Sequence, residues 1–206
     1  MKFKTDQEIF WSGEFGDEYI NRNKNNDLLT SNINFFVKAL QRTKKIKNCI
    51  EFGANIGMNI KALKIIFPKI DYYAVEINKT ATESLSKEIP KENIYQESML
   101  NFENQGNWDL VLIKGVLIHI NPDKILDAYK RLYESTKKYL LICEYYSRNP
   151  ESLVYRGFKN KLFKRDFAGE MLELYPKLNL IDYGFAYHKD QNFPQDDITW
   201  FLLEKN

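Results

Sequence analysis

The 206-residue chain carries 30 basic and 28 acidic side chains for a net charge of +2, with 44% hydrophobic and 15% aromatic residues. This is the composition of a globular domain, and the near balance of charge removes the electrostatic case for a nucleic-acid partner. Two cysteines, Cys49 and Cys143, lie inside apolar runs, and two histidines stand without any Cys-x-x-Cys, so buried reduced thiols and no metal site are expected. The start, MKFKTDQEIFW, lacks the apolar core of a signal peptide, and no run approaches about 18 apolar residues. A cytoplasmic protein without a membrane partner is expected.

Residues 1 to about 30 are polar, yet carry Phe10, Trp11, Phe15 and Tyr19 around Gly13 and Gly16. These aromatics need burial, either as a helix packed on the domain or as a lid over a ligand. NRNKNN at 21 to 26 reads as a surface loop. Ile33, Phe36, Val37 and Leu40 recur at helical spacing from Ser31 to Arg42, with Thr30 or Ser31 as N-cap.

Next comes an apolar run around Cys49, Ile50 and Phe52, broken by Gly53-Ala-Asn-Ile-Gly57 and followed by Ile60, Leu63, Ile66 and Phe67 at helical spacing. That is a strand, a glycine turn and a helix start. The chain then alternates. Strands are predicted at 70–75, 93–96, 108–113 and 138–143, and helices at 79–88 and 122–134, the latter with Ile125, Leu126, Tyr129 and Leu132 on one face. Such alternation implies βαβ units and a parallel sheet. After a helix at 167–174, the runs 178–187 and 198–204 have no helix between them and form an antiparallel pair, with Gly184 marking a bulge.

The chemistry gathers at the strand ends. The turn does not follow the dinucleotide pattern G-x-G-x-x-G; Glu51 precedes it in E-x-G-x-x-x-G, which resembles the turn that binds S-adenosyl-L-methionine (AdoMet) in Rossmann-like methyltransferases. Glu76, about 20 residues past the turn, is placed to accept bonds from ribose hydroxyls. His119, in the loop Lys114 to Pro122, suits general-base work, or else its ring caps the next helix or satisfies a buried carbonyl. The segment 144–169 combines Glu144, Tyr145, Tyr146 and Tyr155 with Arg148, Arg156, Lys159, Lys161, Lys164 and Arg165. Basic groups among aromatics suit an anionic acceptor.

Beyond the turn, FWSGEFGDEYINRN, GVLIHINP, EYYSRNP, KLFKRDFAGEML and DYGFAYHKDQNFPQDDITWFLLEK together resemble the pseudaminic acid biosynthesis-associated methylases over nearly the whole chain. The resemblance implies a mostly parallel seven-stranded sheet with an antiparallel C-terminal hairpin and helices on both faces. It implies one domain, with 1–42 as N-terminal helical lid region, 43–144 as AdoMet-binding core, and 145–206 as acceptor segment and hairpin. Cofactor contacts would fall to Glu51, Gly53, Asn55 and Gly57 at the methionine part, Glu76 at the ribose, and Ser98 and Met99 at the adenine, with Ala54 and Ile77 also on the cofactor and Lys114 facing the methyl group. His119 would be catalytic. Trp11, Phe15, Tyr19, Glu144, Tyr145, Tyr146, Arg156, Lys164, Arg165 and His188 would hold a small, anionic sugar or sugar-nucleotide in surface-polysaccharide synthesis. Asn55 departs from the glycine or aspartate common at its position. S-adenosyl-L-homocysteine would be the product, and monomer or homodimer is left open. Two other readings stand: an NAD-dependent sugar oxidoreductase, against which the missing third glycine counts, and a non-catalytic nucleotide- or AdoMet-binding partner in glycan assembly.

Overall fold

The computed structural model of the chain describes residues 3–20, 26–103 and 106–206. Strand residues alternate between two cores on opposite faces of one sheet. Cys49, Leu110, Leu112 and Leu141 enter one core; Ile50, Val111, Ile113, Leu140 and Ile142 enter the other. The strands are β1 (Asn48–Phe52), β2 (Asp71–Val75), β3 (Ile94–Tyr95), β4 (Trp108–Lys114) and β5 (Thr136–Glu144), then β6 (Glu151–Tyr155), β7 (Phe158–Lys164), β8 (Leu178–Ala186) and β9 (Ile198–Lys205). Seven form the main sheet in the order β3-β2-β1-β4-β5-β9-β8, parallel as far as β5 and antiparallel at β9 and β8.

The helices are α1 (Asp6–Ser12), α2 (Glu14–Ile20), α3 (Asn26–Leu40), α4 (Met58–Ile66), α5 (Lys79–Leu85), α6 (Ile125–Ser135) and α7 (Phe167–Leu174). Apolar side chains of α3, α4 and α5 cover one face of the sheet, and those of α6 and α7 the other. Both cysteines are buried and free. Among the described residues, no helix is long and apolar enough to cross a membrane.

Several expectations are corrected. Helix α3 starts at Asn26 rather than Ser31, because Leu29 continues the apolar spacing through Ile33, Phe36 and Leu40; Ser31 is interior to it and caps nothing. Val37 and Leu126 face outward, 51% and 61% exposed, and their places in the cores go to Phe35, Ala39 and Ala128. The expected loop at 21–26 lies outside the described residues except for Asn26, which is helical. Part of the 144–169 segment is a second, two-stranded sheet, β6 with β7. Its turn is Arg156-Gly157, with φ of 51° and 87°, the pair of positive values that a two-residue hairpin turn requires.

The bulge between β8 and β9 sits between Leu180 and Asp182, not at Gly184. Gly184 lies opposite Trp200, and a Cβ there would come 2.6 Å from the indole, so this position is empty to seat the ring. Gly184→Ala is expected to cost about 1–3 kcal/mol by overpacking, read from urea unfolding. A variant as stable as the parent would contradict the close seating of Trp200 on β8.

Candidate functional site

A cavity of about 450 Å³ opens at the carboxyl ends of β1, β2 and β4. That is the size of a small-molecule or cofactor site, and it lies where open α/β sheets place their ligands. Its floor is the turn after β1. Gly53 and Gly57 have φ of 73° and 82°; a Cβ at the first would strike Val116, and at the second would meet Leu85 at 2.6 Å. Asn55 shares the left-handed region at φ 49°, which asparagine tolerates better than most residues, and its Oδ1 accepts the Ile56 amide at 2.7 Å. The departure at Asn55 thus has a backbone cause.

Glu76 latches this turn. Its Oε2 accepts the Asn55 amide at 2.7 Å and its Oε1 the Asn78 amide at 2.7 Å. Burial raises its pKa while these amides, with that of Ile77, pull it back. Each carboxylate oxygen has a further lone pair, which leaves acceptor capacity for hydroxyls of a ligand.

Glu51 is 1% exposed and sits at the end of an oriented relay. Gln195 Nε2 donates to Asn32 Oδ1 at 2.9 Å, Asn32 Nδ2 to Asn59 Oδ1 at 3.0 Å, and Asn59 Nδ2 to Glu51 Oε1 at 2.6 Å. Its other oxygen, Oε2, is buried without a protein partner. A buried carboxylate so placed resists ionising: burial pushes Glu51 up to about 8, against the pull of Asn59 and Lys114. Lys114, at the end of β4, is pushed down by burial, and its charge is felt by Glu51 and Glu144. Among the described residues, no carboxylate lies within ion-pair distance of its Nζ, which stands 5.6 Å from the Phe35 ring.

His119 is buried between Trp11, at 4.6 Å between rings, and Tyr155, at 4.9 Å. Its Nδ1 lies 2.6 Å from the Lys161 carbonyl, which can only accept, so Nδ1 carries the proton and Nε2 the lone pair of the neutral ring. Burial pushes it down to about 4, against the pull of that carbonyl. The ring is therefore neutral near pH 7, and its bond to a backbone carbonyl coexists with its place on the cavity wall.

The N-terminal helices cross the mouth of the cavity. Lys4 Nζ donates to the Leu100 carbonyl at 2.9 Å, Gln7 Nε2 to the Asn160 carbonyl at 2.9 Å, and Asn78 Nδ2 to Asp17 at 2.9 Å. Phe10 and Phe15 stack at 4.1 Å and press on Phe158 of the β6–β7 hairpin. The segment is helical and packed on the domain, and its Trp11, Gly16 and Tyr19 line the cavity.

Ala54, Ile77, Ser98, Met99, Trp11, Tyr19, Tyr145 and His188 line the cavity. Tyr145 and His188 also border an outer groove of about 640 Å³ with Tyr146, Lys164, Phe185 and Tyr187. Phe15 stands behind Trp11 and Tyr155 in the aromatic cluster. Glu144 does not line the cavity; it accepts the amides of Val116 and Leu117 at 3.0 Å each, tying down the loop that carries His119, and burial pushes it up to about 7. Arg156 lies against Tyr155 in the hairpin turn, and Arg165 is paired with Glu170 at 2.7 Å. Sequence reasoning missed Glu8, Asn32, Asn59, Asn78 and Gln195. Two of them had a readable signal: Glu8 in the Thr5-x-x-Glu8 capping box, and Asn78 as the N-cap of the helix predicted from residue 79. Among the described residues, no cluster of metal-ligating side chains occurs.

Solved structures share this architecture. The chain is similar to the 1,6-didemethyltoxoflavin-N1-methyltransferase of Burkholderia thailandensis, with bound S-adenosylhomocysteine, at a TM-score of 0.70 and 12% identity over 97% of this chain and 87% of that one. It is similar to a SAM-dependent methyltransferase of Leishmania major at 0.69 and 15% identity, over 98% and 87%. Similarity to the magnesium protoporphyrin IX methyltransferase of Synechocystis, with bound SAM, spans all of both chains at 0.67 and 11% identity. The chain therefore has the Rossmann-like methyltransferase fold. In sequence it matches no family model and no curated protein.

The raised carboxylates set a pH dependence. Above the ordinary value of 4.5 the unfolded chain releases a proton that folded Glu51 keeps until about pH 8, so stability falls as pH rises through that window. His119 acts in the opposite sense, but only below its ordinary 6.5. Thermal unfolding between pH 6.5 and 8 should thus show the parent losing stability relative to Glu51→Gln, which keeps the Asn59 bond, by on the order of 1 kcal/mol. Parallel pH profiles for the two proteins would contradict the protonated Glu51.

Proposed function

We propose that the chain is an AdoMet-dependent methyltransferase acting on a small-molecule acceptor. The observation that carries this reading is a set of groups at the carboxyl ends of three neighbouring strands: Glu51, a buried acid whose Oε2 has no protein partner; Lys114, an ammonium on the cavity wall with no ion-pair partner among the described residues; and Glu76, on the same wall one strand away from Glu51. The first two match the ammonium and carboxylate of an amino acid, and the third matches the hydroxyls of a ribose. AdoMet joins those two parts in one molecule, and fold neighbours hold it or its product. When bound it supplies a methyl group activated on a sulfonium.

The protein's own part is binding, alignment and proton handling. The turn from Gly53 to Gly57 brings backbone close to the cofactor, and Ser98 and Met99 flank the base. Helices α1 and α2 exclude water from the roof. His119 Nε2 receives a hydrogen bond from the acceptor's hydroxyl or amine and takes the proton as the new bond forms. With a pKa pushed down to about 4 it is a weak base that is always unprotonated at neutral pH.

The acceptor is of the sugar or sugar-nucleotide class. Support comes from the outer groove, where Tyr145, Tyr146, Phe185 and Tyr187 offer aromatic faces and Lys164 a cation beside Tyr145, and which meets the cavity at Tyr145, His188 and Asp196. The sequence resemblance to pseudaminic acid-associated methylases supports a place in nonulosonic-acid or surface-polysaccharide synthesis. Against the oxidoreductase reading, Tyr133 and Lys137 do stand at the Tyr-x-x-x-Lys spacing of that class. However, Tyr133 stacks on Tyr175 at 4.0 Å, Lys137 faces Asp109, and neither lines the cavity.

Calorimetric titration with S-adenosylhomocysteine tests the cofactor assignment. Glu76→Gln should bind at least about tenfold more weakly, the loss of a hydrogen bond to a charged acceptor. Binding equal to the parent would remove Glu76 from the ribose. Assay of nucleotide sugars for an AdoMet-dependent gain of one methyl mass tests the acceptor, and no gain across that class would overturn it.

A further inference from the structure

Of the cavity-lining carboxylates that have no role in the reading above, Glu8, Glu97 and Asp196, only Glu8 is buried. Glu8 of α1 is 5% exposed, although it lies on a short N-terminal helix rather than in the core. Its Oε2 is fully committed: it accepts the amides of Lys4 and Thr5 at 2.7 Å each and the Thr5 hydroxyl at 3.0 Å. Its Oε1 is buried with no protein partner, and the residue lines the cavity. A capping box alone needs one oxygen and tolerates exposure, so it does not explain a buried second oxygen.

The position of Glu8 identifies the donor it lacks. Lys4, which starts the same turn, is fixed to the Leu100 carbonyl in the loop after β3, next to Ser98 and Met99. In the sheet, β3 is the neighbour of β2 on the side away from β1. A nucleoside whose ribose is held at Glu76, at the end of β2, therefore extends its base outward over the loop after β3, under the N-terminal turn of α1. The exocyclic amine is the group on an adenine edge that only donates, and a free carboxylate oxygen only accepts.

Resting on the AdoMet reading, we propose that Glu8 Oε1 accepts the 6-amino group of the cofactor's adenine, so that the roof helix and not the β-sheet core selects the base. Docking of α1 and binding of the cofactor are then coupled, because the same side chain caps the helix and closes over the base.

The test compares two ligands and two proteins by calorimetry. S-inosylhomocysteine carries a 6-oxo group in place of the amine, with an N1 that donates instead of accepting, and matches S-adenosylhomocysteine elsewhere; loss of the preference in Glu8→Gln therefore assigns the difference to Glu8. Glu8→Gln keeps an oxygen for the capping box but turns an amide donor toward the base. The parent should prefer the 6-amino ligand by at least about tenfold, and Glu8→Gln should lose most of that preference. A parent that binds both ligands equally, or a variant that keeps the full preference, overturns the role of Glu8 and leaves the AdoMet reading standing. A parent that binds neither ligand overturns the AdoMet reading itself. Equal affinity in the parent needs no variant, so the proposal can fail even if Glu8→Gln does not fold.

Discussion

The burial of Glu51 is the constraint on which the site depends. An isolated buried carboxylate costs several kcal/mol if charged, so it must be neutralised, paired or supplied with donors. Here the donors arrive in a line, Gln195 to Asn32 to Asn59 to Glu51, each amide donating toward the acid. Aligned amides polarise one another, which strengthens the chain and fixes the orientation of the carboxylate. The line also ties α3, α4 and the loop before β9 to the end of β1. Three separate parts of the chain thus hold one acid, and its second oxygen is left buried without a protein partner.

A similar economy operates across the sheet. Glu76 fixes the glycine turn, Glu144 fixes the loop carrying His119, and the Lys161 carbonyl fixes the ring of His119 itself. Three acids at the carboxyl ends of β1, β2 and β5 therefore do different work. Glu51 keeps a free oxygen, Glu76 keeps spare lone pairs, and Glu144 is used up by backbone amides. Their sequence contexts are alike, each an acid at the end of an apolar run, and only the partners separate them.

This explains what could be read in advance. The buried strands announce themselves through unbroken apolar runs, and α7 through its Asp166 cap and the Pro176 stop, so the sheet, the helix at 167–174 and the C-terminal pair were legible. The positions of Glu51 and Glu76 at the ends of β1 and β2 were legible because both follow from spacing to one turn. The β6–β7 hairpin was not, because residues 151–154 are exposed and carry no core pattern, although Arg156-Gly157 was a turn signal. The amide relay was invisible for another reason: Gln195 and Asn32 are 163 residues apart, and nothing local marks either. For Glu8 the capping box was local and readable, but its burial was not, since that comes from docking against distant loops.

On the proposed reading, the unpaired oxygen of protonated Glu51 takes the ammonium of an amino acid. An ammonium brought beside it lowers its pKa from about 8, so binding at pH 7 must expel a proton. Titration of S-adenosylhomocysteine in buffers of different ionisation enthalpy measures this directly. Release of a substantial fraction of a proton by the parent and none by Glu51→Gln is expected. Saturable binding without proton release in the parent would contradict it.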